Sequence, residues 1–124
     1  MGRILIIDDD TDLSTLISAH LSHAGHSVSH AENGREGVAQ AEASPPDLII
    51  LDINMPVMDG TKVMKALRGT PAAANVPVIA LSALSHPEMR DDMHGLGCKA
   101  YIVKPVDIST LLKTVDNALS GGTK

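Results

Sequence analysis

The sequence is almost devoid of aromatic residues: its 124 residues include no Trp, no Phe and a single Tyr, Tyr101. A surface that stacks nucleotide bases needs several exposed rings, so that kind of surface is excluded. The 10 Lys and Arg against 15 Asp and Glu give a net charge of −5, and no basic stripe is present to track a phosphate backbone. We therefore expect no direct binding to nucleic acid.

Cysteine and long apolar segments are also scarce. The single cysteine, Cys98, cannot form an internal disulfide, which favours a reducing compartment and a role as a small core residue. Hydrophobic residues make up 44% of the chain, but no apolar run approaches the roughly 18 residues needed to span a bilayer, and no signal peptide is recognisable. We expect a cytoplasmic protein without membrane insertion.

The chain does have a regular alternation of apolar, β-branched runs with segments of helical period. The predicted strands cover residues 4–7, 27–31, 47–51, 76–81 and 100–103, and a helical pattern follows each of them. The first helix carries a stripe of Leu13, Leu16, Ile17 and Leu21. Asp10, Asn33 and Asp107 are the expected caps of the first, second and last helices. Gly60 is expected to occupy a backbone position that a residue with a Cβ could not.

Five β-α units in strict alternation predict a mostly parallel sheet with right-handed crossovers and helices on both faces, a three-layer α/β sandwich. The whole chain, residues 1–124, is expected to be one domain with a core of about residues 3–119 and a flexible tail at 120–124.

Polar residues follow the predicted strands at their carboxyl ends, where ligands bind in sheets of this kind. The first strand is followed by Asp8, Asp9 and Asp10, the third by Asp52 and Asn54, the fourth by Ser82 and the fifth by Lys104. The first and third strands are neighbours in doubly wound sheets. We therefore expect Asp8, Asp9 and Asp52 to converge.

Converging carboxylates need a positive charge. Two of them about 4 Å apart repel each other by roughly 4 kcal/mol at an effective dielectric constant near 20. Lys104 is one candidate, and a hard divalent cation such as Mg²⁺, which prefers oxygen ligands, is the other. The histidines at positions 20, 23, 26 and 30 are not expected to bind metal, because no cysteine or acidic triad completes a site near them.

Four segments resemble the motifs of receiver domains of two-component response regulators, the CheY-like family. They are residues 4–9 (Ile-Leu-Ile-Ile-Asp-Asp), 51–60 (Leu-Asp-Ile-Asn-Met-Pro-Val-Met-Asp-Gly), 80–83 (Ala-Leu-Ser-Ala) and 101–105 (Tyr-Ile-Val-Lys-Pro). The similarity runs from about Arg3 to Leu119. It implies a doubly wound, five-stranded parallel sheet of order 2-1-3-4-5 with five helices, the flavodoxin/CheY-like sandwich.

The resemblance also implies roles for individual residues. Asp52 is expected to accept a phosphoryl group from a sensor histidine kinase or a histidine phosphotransfer protein. Asp9 and Asp52 are expected to ligate Mg²⁺ (or Mn²⁺) together with the backbone carbonyl of Asn54, and Asp8 to hold the ion through water. The domain is then a switch that catalyses only its own phosphorylation and dephosphorylation, and not an enzyme acting on other substrates.

Three further expectations concern the switch. Lys104 is expected to meet a phosphoryl oxygen and Ser82 to donate a hydrogen bond to another, while Tyr101 rotates as Ser82 moves. The resemblance also implies a cis peptide bond between Lys104 and Pro105. The departures from the family pattern are small: Ser82 stands where the family more often has Thr, and Val106 where it often has Phe.

No effector domain follows Leu119, so we expect a single-domain regulator, a monomer or weak dimer, that acts on a downstream protein target. A receiver excised from a hybrid kinase or larger regulator is the first alternative. A Mg²⁺-dependent aspartyl phosphatase is the second, because Asp8 and Asp10 have its Asp-x-Asp spacing, although the chain lacks a cap domain. FMN binding is disfavoured because three aspartates after the first strand would repel a phosphate. A phosphate-independent adaptor is also disfavoured, because no motif residue is missing.

Overall fold

The computed structural model describes residues 2–53, 60–82 and 87–120. Within these residues five strands alternate with five helices, as predicted. The strands are β1 (Arg3–Ile7), β2 (Ser27–Ala31), β3 (Leu48–Asp52), β4 (Val78–Ser82) and β5 (Ala100–Val103). The helices are α1 (Thr11–His23), α2 (Gly34–Ala43), α3 (Gly60–Arg68), α4 (Pro87–Gly95) and α5 (Ile108–Leu119). No helix in the described ranges has the length and apolar character needed to cross a bilayer.

The strands form one parallel sheet in the order β2-β1-β3-β4-β5, which confirms the doubly wound fold. Helices α1 and α5 cover one face with Ile17, Leu21, Leu111, Val115 and Ala118. Helices α2, α3 and α4 cover the other face with Ala41, Val63, Met64, Leu67 and Met93. Because β3 and β4 are buried on both faces, they read as continuous apolar runs.

The predicted apolar stripe of α1 is wrong at one position. Ile17 and Leu21 are fully buried and Leu13 packs against the same core, but Leu16 is 48% exposed. The third buried residue of α1 is Ser14. At about 100° per residue, the face that contains Ile17 and Leu21 also contains Ser14, and Leu16 points away from it. The helix is therefore rolled about its axis relative to the hydrophobic pattern.

The caps of α1 and α2 form as expected. The Asp10 carboxylate accepts a hydrogen bond from the N–H of Leu13 at 3.1 Å, and the Asn33 side chain accepts one from the N–H of Glu36 at 2.8 Å. Asp107 is the N-cap of α5, but the hydrogen bond of good geometry that its carboxylate accepts comes from the Thr110 hydroxyl. Two of the three predicted caps thus satisfy main-chain donors that the helix leaves unpaired.

Gly60 begins α3 against the residue that follows β3. A Cβ at this position would lie 2.4 Å from the Cβ of Ile53 and 2.8 Å from its Cα. The reason for glycine here is close packing, since positive φ angles occur only at Gly25 and Gly97 among the described glycines. The contact sets the distance between α3 and the carboxyl end of β3.

Gly60→Ala is expected to lower the free energy of unfolding by about 2 kcal/mol, because the added methyl group overlaps a backbone atom that cannot move aside. Gly95→Ala is the matched control: a Cβ there meets nothing within 4 Å. This control is expected to be neutral or to stabilise by up to about 1 kcal/mol, since alanine favours a helix over glycine. Urea unfolding of both variants measures the difference, and equal stabilities would contradict the packing argument.

Candidate functional site

The register of the sheet brings the predicted carboxylates together. Ile7 of β1 lies beside Leu51 of β3, so the next residues, Asp8 and Asp52, are neighbours at the carboxyl edge. Carboxylate oxygens of Asp8, Asp9 and Asp52 lie within 4.8 Å of one another. Asp8 and Asp52 are buried, whereas Asp9 is exposed. Asn54, the expected source of a carbonyl ligand, lies outside the described residues.

Lys104 reaches the same cluster from β5. Its backbone N–H donates to the carbonyl of Ser82 at 2.6 Å, which places the end of β5 against the end of β4. Its Nζ then lies 3.1 Å from Oδ2 of Asp52 and forms a salt bridge with it. The peptide bond between Lys104 and Pro105 is cis, as the resemblance implied.

The two residues expected to act as the switch lie on neighbouring strands. Ser82 is buried at the carboxyl end of β4. Tyr101 of β5 pairs with Ala80 of β4; it is half-buried and packs against the core beneath α2, α3 and α4. The single Tyr of the chain thus lies on β5 and packs on the face of the sheet that α4 covers.

The buried carboxyl of Asp8 has a raised pKa. Burial raises the pKa of Asp8 to about 7; the hydrogen bond from the N–H of Asp10 acts in the opposite direction, and the nearby Asp52 carboxylate raises the pKa further. Oδ1 of Asp8 accepts that hydrogen bond at 2.8 Å. Oδ2 is buried without a hydrogen-bond partner among the described residues.

The residues fit a hard divalent cation. Three carboxylates face one ammonium group, so the ionised cluster carries an excess of two negative charges. The buried Oδ2 of Asp8 can interact with a hydrated ion, and Asp9 and Asp52 offer further oxygen atoms. Oxygen ligands without sulfur or nitrogen are the set that Mg²⁺ prefers, and Mg²⁺ usually retains several waters. The arrangement can therefore hold such an ion beside a carboxylate that is already paired with a lysine.

One contact of the site was missed by sequence reasoning. Nε2 of His30, on the edge strand β2, lies 2.8 Å from the backbone oxygen of Asp8. The sequence shows His30 only as one of four histidines near the first helix and second strand, and no spacing rule connects it to residue 8. Its role depends on a long-range contact that the strand pattern does not encode.

Residues 4–116 match the sequence model of the family described as "Response regulator receiver domain". The fold and the acidic edge define a receiver domain, and the chain belongs to this family of two-component signalling domains.

Its relatives include Protein PilH of Pseudomonas aeruginosa, 37% identical over 98% of this chain and 100% of that protein. They also include the DNA-binding dual master transcriptional regulator RpaA of Synechocystis, 41% identical over 93% of this chain, which spans only 48% of that protein. The structure of chemotaxis protein CheY4 of Vibrio cholerae is similar, with a TM-score of 0.90 and 35% identity over 96% of this chain and 99% of that one.

The raised pKa of Asp8 predicts a pH-dependent stability in metal-free protein. Between pH 3.8, the ordinary pKa of the carboxyl, and about 7, the folded state holds a proton that the unfolded state has released. This contribution to stability is therefore lost as the pH rises through that window. Asp8→Asn keeps an acceptor for the N–H of Asp10 and removes the charge. It is expected to be more stable than the native protein by about 2 kcal/mol at pH 8.

The control is Asp92→Asn, which removes a negative charge from an exposed position on α4; its stability profile should follow that of the native protein. Urea unfolding in EDTA at several pH values between 4 and 8 provides the comparison. A native slope unchanged by Asp8→Asn would show that Asp8 is not the group responsible.

Proposed function

We propose that this receiver domain is a Mg²⁺-dependent phosphoacceptor. Asp52 takes the phosphoryl group from a phosphohistidine of a sensor histidine kinase or histidine phosphotransfer protein, and the modification alters a protein-binding face. The observation that carries the proposal is the cluster of Asp8, Asp9 and Asp52 within 4.8 Å, with Lys104 at 3.1 Å from Asp52. Receiver domains take phosphoryl groups from histidine kinases, and this chain is a receiver domain by its family match.

Asp52 is the best nucleophile of the three carboxylates. Asp8 is tied to the N–H of Asp10, and its raised pKa leaves it partly protonated near neutral pH. Asp9 is exposed, and among the described residues the salt bridge of Lys104 within this cluster is to Asp52. Asp52 lies at the end of the central strand, between the other carboxylates and the Lys104 ammonium. A carboxylate needs no general base to attack phosphorus.

The transfer forms one bond and breaks one. An oxygen of Asp52 forms a bond to phosphorus while the bond between phosphorus and the histidine nitrogen breaks. The nitrogen leaves with its electron pair and is protonated from solvent. Most of the catalysis is then positioning and charge neutralisation. Lys104 neutralises one phosphoryl oxygen as a mobile point charge, and Ser82 donates a hydrogen bond to another.

Asp9 and Asp52 are the proposed direct ligands of Mg²⁺ or Mn²⁺, with Asp8 acting through a water molecule. The ion supplies positive charge to the phosphoryl oxygens and offsets the repulsion of the acidic cluster. The proposed carbonyl ligand, Asn54, is carried over from the family resemblance alone.

The proposed output is a rearrangement on the α4–β5 side of the molecule. Phosphorylation adds about 1.5 to 2 negative charges at neutral pH. Ser82 then moves toward the phosphoryl group and Tyr101 changes its rotamer. The two residues lie on adjacent strands, and Val103 of β5 pairs with Ser82, so a displacement at the end of β4 acts directly on β5. The downstream target is a protein that reads this face.

We further propose that the domain acts as a single-domain regulator in the cytoplasm, as a monomer or weak dimer. The match to PilH over the whole of that protein supports this arrangement. The match to RpaA, of which this chain spans about half, supports the alternative of a receiver that belongs to a larger regulator.

Incubation with acetyl phosphate and Mg²⁺ is expected to add the mass of one phosphoryl group to the native protein, measured by intact-mass spectrometry. Asp52→Asn should show no addition, because its amide cannot form an acyl phosphate. Asp10→Asn is the matched control: this residue is at the same edge but serves as the cap of α1, and asparagine caps a helix equally well. Equal phosphorylation of native protein and Asp52→Asn would refute the assignment.

The aspartyl phosphatase alternative makes a different prediction. A receiver hydrolyses only its own acyl phosphate, whereas a phosphatase turns over an external phosphomonoester. Native protein with Mg²⁺ and p-nitrophenyl phosphate is therefore expected to release no more nitrophenol than Asp52→Asn does. Repeated turnover that Asp52→Asn loses would favour the phosphatase and show that the domain is an enzyme acting on other substrates.

A further inference from the structure

His30 makes a hydrogen bond to the acidic site, although it is not one of the carboxylates, the lysine or the serine described above. It lies on β2, the edge strand next to β1, and its Nε2 is 2.8 Å from the backbone oxygen of Asp8. A carbonyl oxygen can only accept a hydrogen bond, so Nε2 must carry the proton and donate. A backbone group of the site thus keeps a proton on Nε2 of the imidazole.

Small side chains provide the space for this ring. Ser14, Thr15, Ser18 and Ala19 of α1 line a shallow hollow together with His30. The imidazole is half-buried there, between the helix and the edge of the sheet. The ring therefore contacts β1 through its hydrogen bond and α1 through these small side chains.

The contact completes the fixation of Asp8 at three points. The N–H of Asp8 donates to the carbonyl of Ala31 at 3.0 Å, Oδ1 accepts from the N–H of Asp10 at 2.8 Å, and the backbone oxygen accepts from His30. The third bond anchors the peptide plane between Asp8 and Asp9. Because the peptide unit is rigid, anchoring this carbonyl fixes the ψ angle of Asp8 and the positions of the nitrogen and Cα of Asp9, from which the Asp9 side chain extends.

We propose that His30 is a positioning residue that sets the affinity of the acidic site for Mg²⁺ through the Asp8–Asp9 peptide. The inference rests on the proposed function, because it concerns the metal ligands named there. Removing a residue that hydrogen-bonds to metal ligands and orients them typically weakens metal affinity about 10- to 100-fold. His30 acts on the backbone of two proposed ligands, Asp8 and Asp9, at once.

Two substitutions separate the hydrogen bond from the packing of the ring. His30→Phe keeps a planar ring but removes the donor, and it is expected to weaken Mg²⁺ binding about tenfold. His30→Gln retains an N–H donor and is expected to bind Mg²⁺ within about threefold of the native protein. His23→Phe, at an exposed position of α1, is the control for a histidine-to-phenylalanine exchange away from the site. Mg²⁺ titrations followed by the backbone amide resonances of residues 8 and 9 measure all four affinities.

A second measurement needs no variant. Long-range ¹H–¹⁵N correlation spectra of the imidazole in metal-free native protein are expected to show the proton of His30 on Nε2. A predominant Nδ1–H tautomer would overturn the inference, as would equal Mg²⁺ affinities of His30→Phe and native protein. A loss in His30→Gln as large as in His30→Phe would also overturn it, because the donor would then not be the cause.

These outcomes are distinct from a failure of the proposed function. If the native protein itself binds no Mg²⁺, the phosphoacceptor proposal fails, and the positioning role fails with it. If the native protein binds Mg²⁺ and His30→Phe binds it equally well, only the positioning role is lost.

Discussion

The ion pair between Lys104 and Asp52 is the interaction on which the acidic edge depends. Two of the three clustered carboxylates are buried, and each pair at about 4 Å contributes roughly 4 kcal/mol of repulsion at an effective dielectric constant near 20. Total stabilities of domains are only about 5–15 kcal/mol. The lysine at 3.1 Å offsets part of this repulsion. Burial raises the pKa of Asp8 and the Asp52 carboxylate raises it further, and the negative charge that Lys104 does not offset favours binding of a cation.

The rest of the fold holds this unfavourable cluster in place. Strands β3 and β4 are buried along their whole length, and apolar clusters pack against both faces of the sheet. Parallel pairing of β1 with β3 up to Ile7 and Leu51 then keeps Asp8 and Asp52 next to each other. Because the strands beneath the site hold its carboxylates together, the site keeps an excess of negative charge that an added cation can offset.

Much of the fold was predictable because it depends on short-range patterns. The alternation of strands and helices, the caps at Asp10 and Asn33 and the central apolar strands all follow from local sequence. The strand order and the roles of the site residues came from the family resemblance. Leu16 was assigned wrongly to the core, since a periodic stripe defines an apolar face only to within about one side-chain position, and the roll of a helix is set by what it packs against.

The sequence by itself determined which chemical groups end each strand: acids after β1, Asp52 and Ser82 at the ends of β3 and β4, and a lysine after β5. Only the tertiary structure decided which side chains contact which distant backbone groups. His30 bonds to the backbone of Asp8, and the Arg68 guanidinium donates to the carbonyls of Ala73, Ala74, Val76, Leu96 and Gly97. Backbone carbonyls are present at every residue, so no sequence motif marks the one that a side chain will select; the packing of helices and sheet makes that choice.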